Sequence, residues 1–318
     1  MAIIRKPWIG EWGVGIGDWG LGIGRRLFHS QFTIHHSLFT ILLFLLSLSL
    51  SACASTRPVL KIGLLAPFEG VYRQEGYDAL VALRAALAEQ NPTGLDVLPL
   101  ALDTSRDVAR TSQKVLTDSS VVAIIGPFWA ADEAAIGGQL DQEKWFRPYA
   151  PSGNGDGAAE LVATARLFAQ AEGRQLVLAG LPVGWTEVKG AAVSDPDGVQ
   201  VGDSILWLGD PAAGAAFAQA VWQRLPETPF GLYAAGIESF RRRVGEQMTG
   251  PLFVIGWIDD DYPVWAASHS PNTPIAYTVY RQTADVLKRM AGETVTTIWH
   301  PAIFIVRNDG TLFLSAAH

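Results

Sequence analysis

From residue 59 onward, short apolar runs alternate with stretches of helical periodicity. Val59 to Ala66 is almost wholly apolar, the pattern of a strand covered on both faces. Pro67-Phe68-Glu69-Gly70 breaks it, and a helix is predicted from about Gly76 to Gln90, with Leu80, Leu83 and Leu87 on one face. Leu95 to Leu102 reads as the next strand. Pro99 within it lacks a ladder donor, which places this strand at a sheet edge. A second helix, about Arg106 to Thr117, turns Val108, Ser112, Val115 and Leu116 inward. Val121 to Ile125 is the clearest central strand and ends at Gly126-Pro127. A weaker helix, Ala131 to Glu143, is interrupted by Gly137-Gly138, and Phe146 to Ala150 is a short strand. The order βαβαβαβ implies a parallel sheet with helices on both faces.

Pro151 to Gly157 contains no core-forming side chain and reads as a boundary. Beyond it the alternation resumes. Helices are predicted over 158–172, 212–225, 236–248 and 274–290, and strands over 175–180, 204–209, 229–234 and 252–258. Residues 181–203 form a long Gly- and Asp-rich stretch, and Asp259-Asp260-Asp261 marks another loop. The chain closes with a hairpin, Ala302 to Arg307 and Thr311 to Leu314 around Asn308-Asp309-Gly310.

The first 58 residues have a different character. Residues 1–37 are low-complexity, with Trp12-Gly13, Trp19-Gly20 and Gly22-Ile23-Gly24 recurring, and translation is expected to begin nearer Arg25. Gly15-Ile16-Gly17-Asp18-Trp19-Gly20 matches a dinucleotide-binding fingerprint only formally, because no βαβ unit surrounds it. The apolar run Leu38 to Leu50 follows the basic pair Arg25-Arg26 and leads into Leu50-Ser51-Ala52-Cys53, the last being the only cysteine. These residues resemble a bacterial lipoprotein signal, which implies cleavage after residue 52, lipidation of Cys53, a linker over 53–58 and an extracytoplasmic location. The protein would be held at the membrane by that anchor, in the periplasm or on the outer face of the cell membrane.

Composition narrows the function classes. The 318 residues are 49% hydrophobic with net charge -7, and the leader is the basic part, so the remainder is more acidic still. Such acidity argues against a nucleic-acid partner. One cysteine permits no internal disulfide. His269, His300 and His318 are too scattered for a metal site, so neither metal nor cofactor is expected. No G-x-S-x-G elbow or His–carboxylate set stands out, and no enzyme is expected.

Lys61 to Gly70, Asp103-Thr104-Ser105 and Val121 to Pro127 together resemble the type I periplasmic binding proteins of the leucine/branched-chain amino-acid-binding kind. Ile205 to Pro211, the helix around Tyr277 to Met290 and the final hairpin carry the likeness further. It implies an α/β fold of two doubly wound, Rossmann-like lobes. Lobe one would be 59–151 with 251–293, and lobe two 152–250 with 294–318. Lobe two is expected to be reduced, lacking one strand–helix unit around 173–203. The implied function is a solute-binding receptor that captures a small molecule between the lobes by hinge closure and delivers it to an ABC permease. The alternative is an envelope lipoprotein that reuses the fold for regulatory protein–protein contact.

Open parallel sheets bind ligands beyond the carboxyl ends of their strands. The expected ligand-binding residues are therefore Glu69, Tyr72, Phe128, Trp129, Ala130, Ser152, Asp210 and Tyr233. In the family the loop after Gly126-Pro127 commonly carries hydroxyls that grip an amino-acid carboxylate. Here Trp129, Ala130 and Ala131 occupy it, which points from an amino-acid-like ligand towards an aromatic or apolar one. Glu69 or Asp132 could pair with a ligand amine, and Asp132 also suits a helix N-terminus. Trp185 and Trp257 are expected to serve core packing, and Arg241-Arg242-Arg243 a solvated helix face.

Overall fold

The computed structural model describes residues 59–91, 95–138, 141, 143–151, 157–181, 191–245 and 248–315, with Ile41 and Phe44, and describes Ala130 by its backbone alone. Cys53, Ser152, Trp185 and almost all of the leader lie outside these residues. Arg57–His318 forms one compact unit, separate from Met1–Thr56.

The unit contains two sheets. The first is made of β1 (Val59–Ala66), β2 (Asp96–Asp103), β3 (Val121–Ile125) and β4 (Trp145–Phe146), in the order β2-β1-β3-β4 and wholly parallel. Strand β2 lies at the edge, as Pro99 requires. Alternation along β1 divides its neighbours between two cores. Ile62, Leu64 and Ala66 pack with α1 (Arg73–Gln90) and α8 (Pro274–Met290), whereas Leu65 packs with Val115 of α2 (Val108–Leu116) and Ile136 of α3 (Ala130–Ile136). One expected inward residue of α2 is corrected: Leu116 is 44% exposed. Thr111, Ser112 and Val115 fill the inward stripe, and Leu116 stands about 100° further round the helix. Helix α3 is shorter than predicted because Gly137 takes a left-handed φ of 67° and ends it.

The second sheet has seven strands, in the order β11-β10-β9-β8-β7-β5-β6. They are β5 (Gln175–Ala179), β6 (Ala191–Val193), β7 (Asp203–Trp207), β8 (Phe230–Tyr233), β9 (Leu252–Ile258), β10 (His300–Val306) and β11 (Leu312–Leu314). Strands β5 to β9 run parallel, and β10 and β11 complete the sheet antiparallel as the predicted hairpin. Helix α4 (Gly157–Ala171) covers one face through Leu161, Val162, Ala165 and Ala169. On the other face lie α5 (Pro211–Arg224), α6 (Ile237–Val244) and α7 (Tyr262–Ser268), with Phe217, Trp222, Phe240 and Trp265 in one aromatic core.

Three expectations change here. Strand β9 pairs with β8 and β10, so Leu252–Ile258 belongs to the second sheet, although the expected lobe boundary at 251 grouped it with the first. Only α8, further along that segment, packs on the first sheet. Residues 181–203 are not all loop, since β6 adds an edge strand. Between β6 and β7 the described chain makes a 3-10 turn at Pro196–Gly198. Helix α7 follows directly on the Asp259-Asp260-Asp261 loop without a sequence signal of its own, because the acidic run and Pro263 leave it only two apolar anchors, Tyr262 and Trp265.

Candidate functional site

The parallel strands of both sheets end at one cavity of about 230 Å³. Pro67 follows β1, Thr104 and Ser105 follow β2, and Phe128 and Trp129 follow β3. From the other sheet come Leu208 to Pro211 after β7, and Tyr233 at the end of β8. Two glycines allow the backbones to close on it. A Cβ on Gly76, in the first turns of α1, would overlap the Pro67 carbonyl oxygen, and one on Gly209 would overlap that of Gly180.

Tyr72 crosses the cavity. Its hydroxyl donates to Asp210 Oδ2 at 2.6 Å and accepts from the Ala212 N–H at 3.2 Å, while its ring lies 5.0 Å from that of Trp129. Burial, followed by the bond to Asp210, pushes the Tyr72 hydroxyl well above the ordinary phenol range. Asp210 also caps α5, accepting from Ala213 N at 2.8 Å through Oδ1. Tyr233 is held by donating its hydroxyl to the Pro148 carbonyl at 2.8 Å. Trp257, fully buried in the second sheet, donates at 2.8 Å to the carbonyl of Tyr149, whose side is part of the cavity wall.

Asp132 is the least compensated charge at the site. It lies in the first turn of α3, lines the cavity, and its carboxyl is pushed up to about 6, first by burial and then by the facing Asp210 carboxylate. The indole N–H of Trp129 is buried without a hydrogen-bond partner among the described residues. Among the described residues that line the cavity there is no Lys, Arg or His.

The structure brings Tyr72, Phe128, Trp129, Asp210 and Tyr233 to this one cavity. Phe128 is completely buried and serves as its floor. Glu69 does not line it. Arg106 engages that carboxylate at 2.9 Å, and Ser105 Oγ bridges the Glu69 backbone, because the loops after β1 and β2 lie side by side. Ala130 supplies backbone at the start of α3. Trp257 is core, and Arg241 and Arg242 pair with Glu238 and the Val71 carbonyl. Tyr149 lies in the loop expected at this rim, whereas Leu161 and Trp207 are wall residues that sequence reasoning did not single out. The signal for Trp207 was present, since it is the last residue of a strand whose following loop had been singled out.

No family model matches the chain, and no curated protein matches it in sequence. Solved structures do. A leucine-binding protein of Thermotoga maritima aligns with a TM-score of 0.57 at 15% identity, covering 81% of this chain and 98% of its own. A possible leucine/isoleucine/valine-binding protein of Rhodopirellula baltica aligns at 0.60 with 11% identity, over 83% and 98%. A solute-binding protein of an ABC transporter from R. palustris, in complex with 4-hydroxybenzoate, aligns at 0.55 with 12% identity, over 81% and 95%. At such identities the likeness establishes architecture. The chain has the type I periplasmic-binding-protein fold, with two α/β lobes whose strand ends meet across a cavity.

Proposed function

We propose that this protein is an extracytoplasmic solute-binding receptor of an ABC importer, tethered through a lipid on Cys53, that holds a small molecule between its two lobes. The observation that carries the proposal is the cavity itself, walled by rings and two carboxylates at the carboxyl ends of both sheets. Ligand binding needs no bond chemistry. The lobes close by rotation about their crossings, and a ligand drives closure only through its greater affinity for the closed form. The Trp129 N–H, without a hydrogen-bond partner among the described residues, offers a donor to such a ligand.

A thermal-shift panel of amino acids, amines, amides, purines and aromatic acids tests this reading. A ligand at about a hundred times its Kd stabilises by about 2.7 kcal/mol and should raise the melting temperature by roughly 5–10 °C. Trp129→Ala should weaken the ligand so found by about tenfold or more, measured by calorimetry. A flat panel would remove the receptor reading. It would favour the second one, an envelope lipoprotein acting through protein contact. That reading draws on bonds that already tie the lobes together, Tyr72 to Asp210 and Ser239 N to Glu75 at 2.9 Å. Lipidation is tested separately: labelled fatty acid should be incorporated into the wild-type chain and not into Cys53→Ser.

A further inference from the structure

We infer that the cleft selects organic cations, small amines with an apolar or aromatic body and no carboxylate, over amino acids and aromatic acids. This deepens the receptor reading and rests on it.

The N-terminal ends of α3 and α5 open on the cavity. Such ends ordinarily attract anions, through free N–H groups and the helix dipole. Here each already carries a carboxylate. Asp210 caps α5 by accepting from Ala213 N, and Asp132 occupies the first turn of α3. A ligand carboxylate arriving at either end would meet a negative charge in a partly desolvated place. The hydroxyls that could have gripped it are absent from Trp129, Ala130 and Ala131. Ser105 Oγ, on the opposite loop, is taken up by Asp103 and the Glu69 backbone.

Nothing in the wall restores the balance. The described lining residues include no cation. At the rim, Arg106 is matched by Glu69, and Arg243 bears on the Tyr72 hydroxyl from outside the lining. Among the described residues, Asp210 has hydrogen-bond donors but no ion-pair partner, and Asp132 forms no ion pair. A bound ammonium would supply the missing positive charge. Tyr72, Trp129, Tyr149, Trp207 and Tyr233 line the same space, and aromatic rings attract cations and pack against apolar bodies. A cavity of about 230 Å³ leaves room for a phenylethylamine-sized molecule.

Calorimetry at pH 7.5 with tyramine, phenethylamine, isoleucine and 4-hydroxybenzoate decides the matter. The two amines should bind at least about tenfold more tightly than either carboxylate-bearing probe. Asp132→Asn should weaken tyramine by about tenfold or more and leave 4-hydroxybenzoate unaffected or improved. Asp210→Asn, which keeps a side chain able to cap α5, should act in the same direction. Isoleucine or 4-hydroxybenzoate binding as tightly as the amines would overturn the inference while leaving a receptor. Unchanged tyramine affinity in both variants would overturn it as well. Silence from all four probes would overturn it too, and only a flat wider panel would then remove the receptor reading itself.

Discussion

Replacing Trp257 by Ala is expected to lower the unfolding free energy by about 3–5 kcal/mol. Trp257 is completely buried on β9, with strands on both sides and Leu206, Phe253, Ile255 and Ile303 among its apolar neighbours. Truncation removes one of the largest side chains in the core, and a sheet anchored by β8 and β10 has little freedom to collapse into the void. The same change strips the Tyr149 carbonyl of its donor and so loosens one wall of the cavity. Trp257→Phe separates the two effects. It keeps most of the bulk and loses the N–H, at a cost of about 1–2 kcal/mol. Urea unfolding of the three proteins checks both values; a loss below about 1 kcal/mol for Trp257→Ala would contradict the packing argument.

Asp132→Asn is expected to stabilise the protein by about 2 kcal/mol above pH 7 and to change nothing near pH 3. Burial and the facing Asp210 carboxylate raise the Asp132 carboxyl from 3.8 to about 6 in the folded chain. The folded state therefore holds this proton more tightly than the unfolded one. That contribution to stability is fully present below about pH 4 and is lost as pH rises through 6, where the charge must be carried in the fold. Complete conversion of the rise would be about 3 kcal/mol, and partial exposure to solvent reduces it. Asn has no charge to carry, so the difference between the two proteins should open between pH 4 and pH 6. Thermal unfolding across that range is the measurement, and a gap independent of pH would show that Asp132 is not the group responsible. An organic cation in the cleft should narrow the gap by stabilising the wild type more than the variant. The aspartate would then be a position where stability is given up for binding.

Much of the architecture was legible in the chain because it is written in local pattern. Pro99 alone placed β2 at an edge, since a missing N–H cannot serve a central ladder. The apolar run Val121–Ile125 could only be a strand covered on both faces, and Asn308-Asp309-Gly310 marked the final hairpin. The cavity-lining positions Tyr72, Phe128, Trp129, Asp210 and Tyr233 were legible for a related reason. Each follows or ends a readable element at the carboxyl end of a parallel strand, and that topology sends such residues to a common rim.

What the sequence alone determined was the set of strands and helices, their parallel sense and the places where chain leaves strand, because apolar periodicity and turn chemistry act over a few residues. The tertiary structure decided which sheet receives β9, that Arg106 rather than the cavity takes Glu69, and that Leu161 and Trp207 join the wall. It also set the carboxylates of Asp132 and Asp210 against each other, 78 positions apart in the chain. Those outcomes depend on distances between segments remote in sequence, and on the desolvation that appears only when the lobes enclose a shared space.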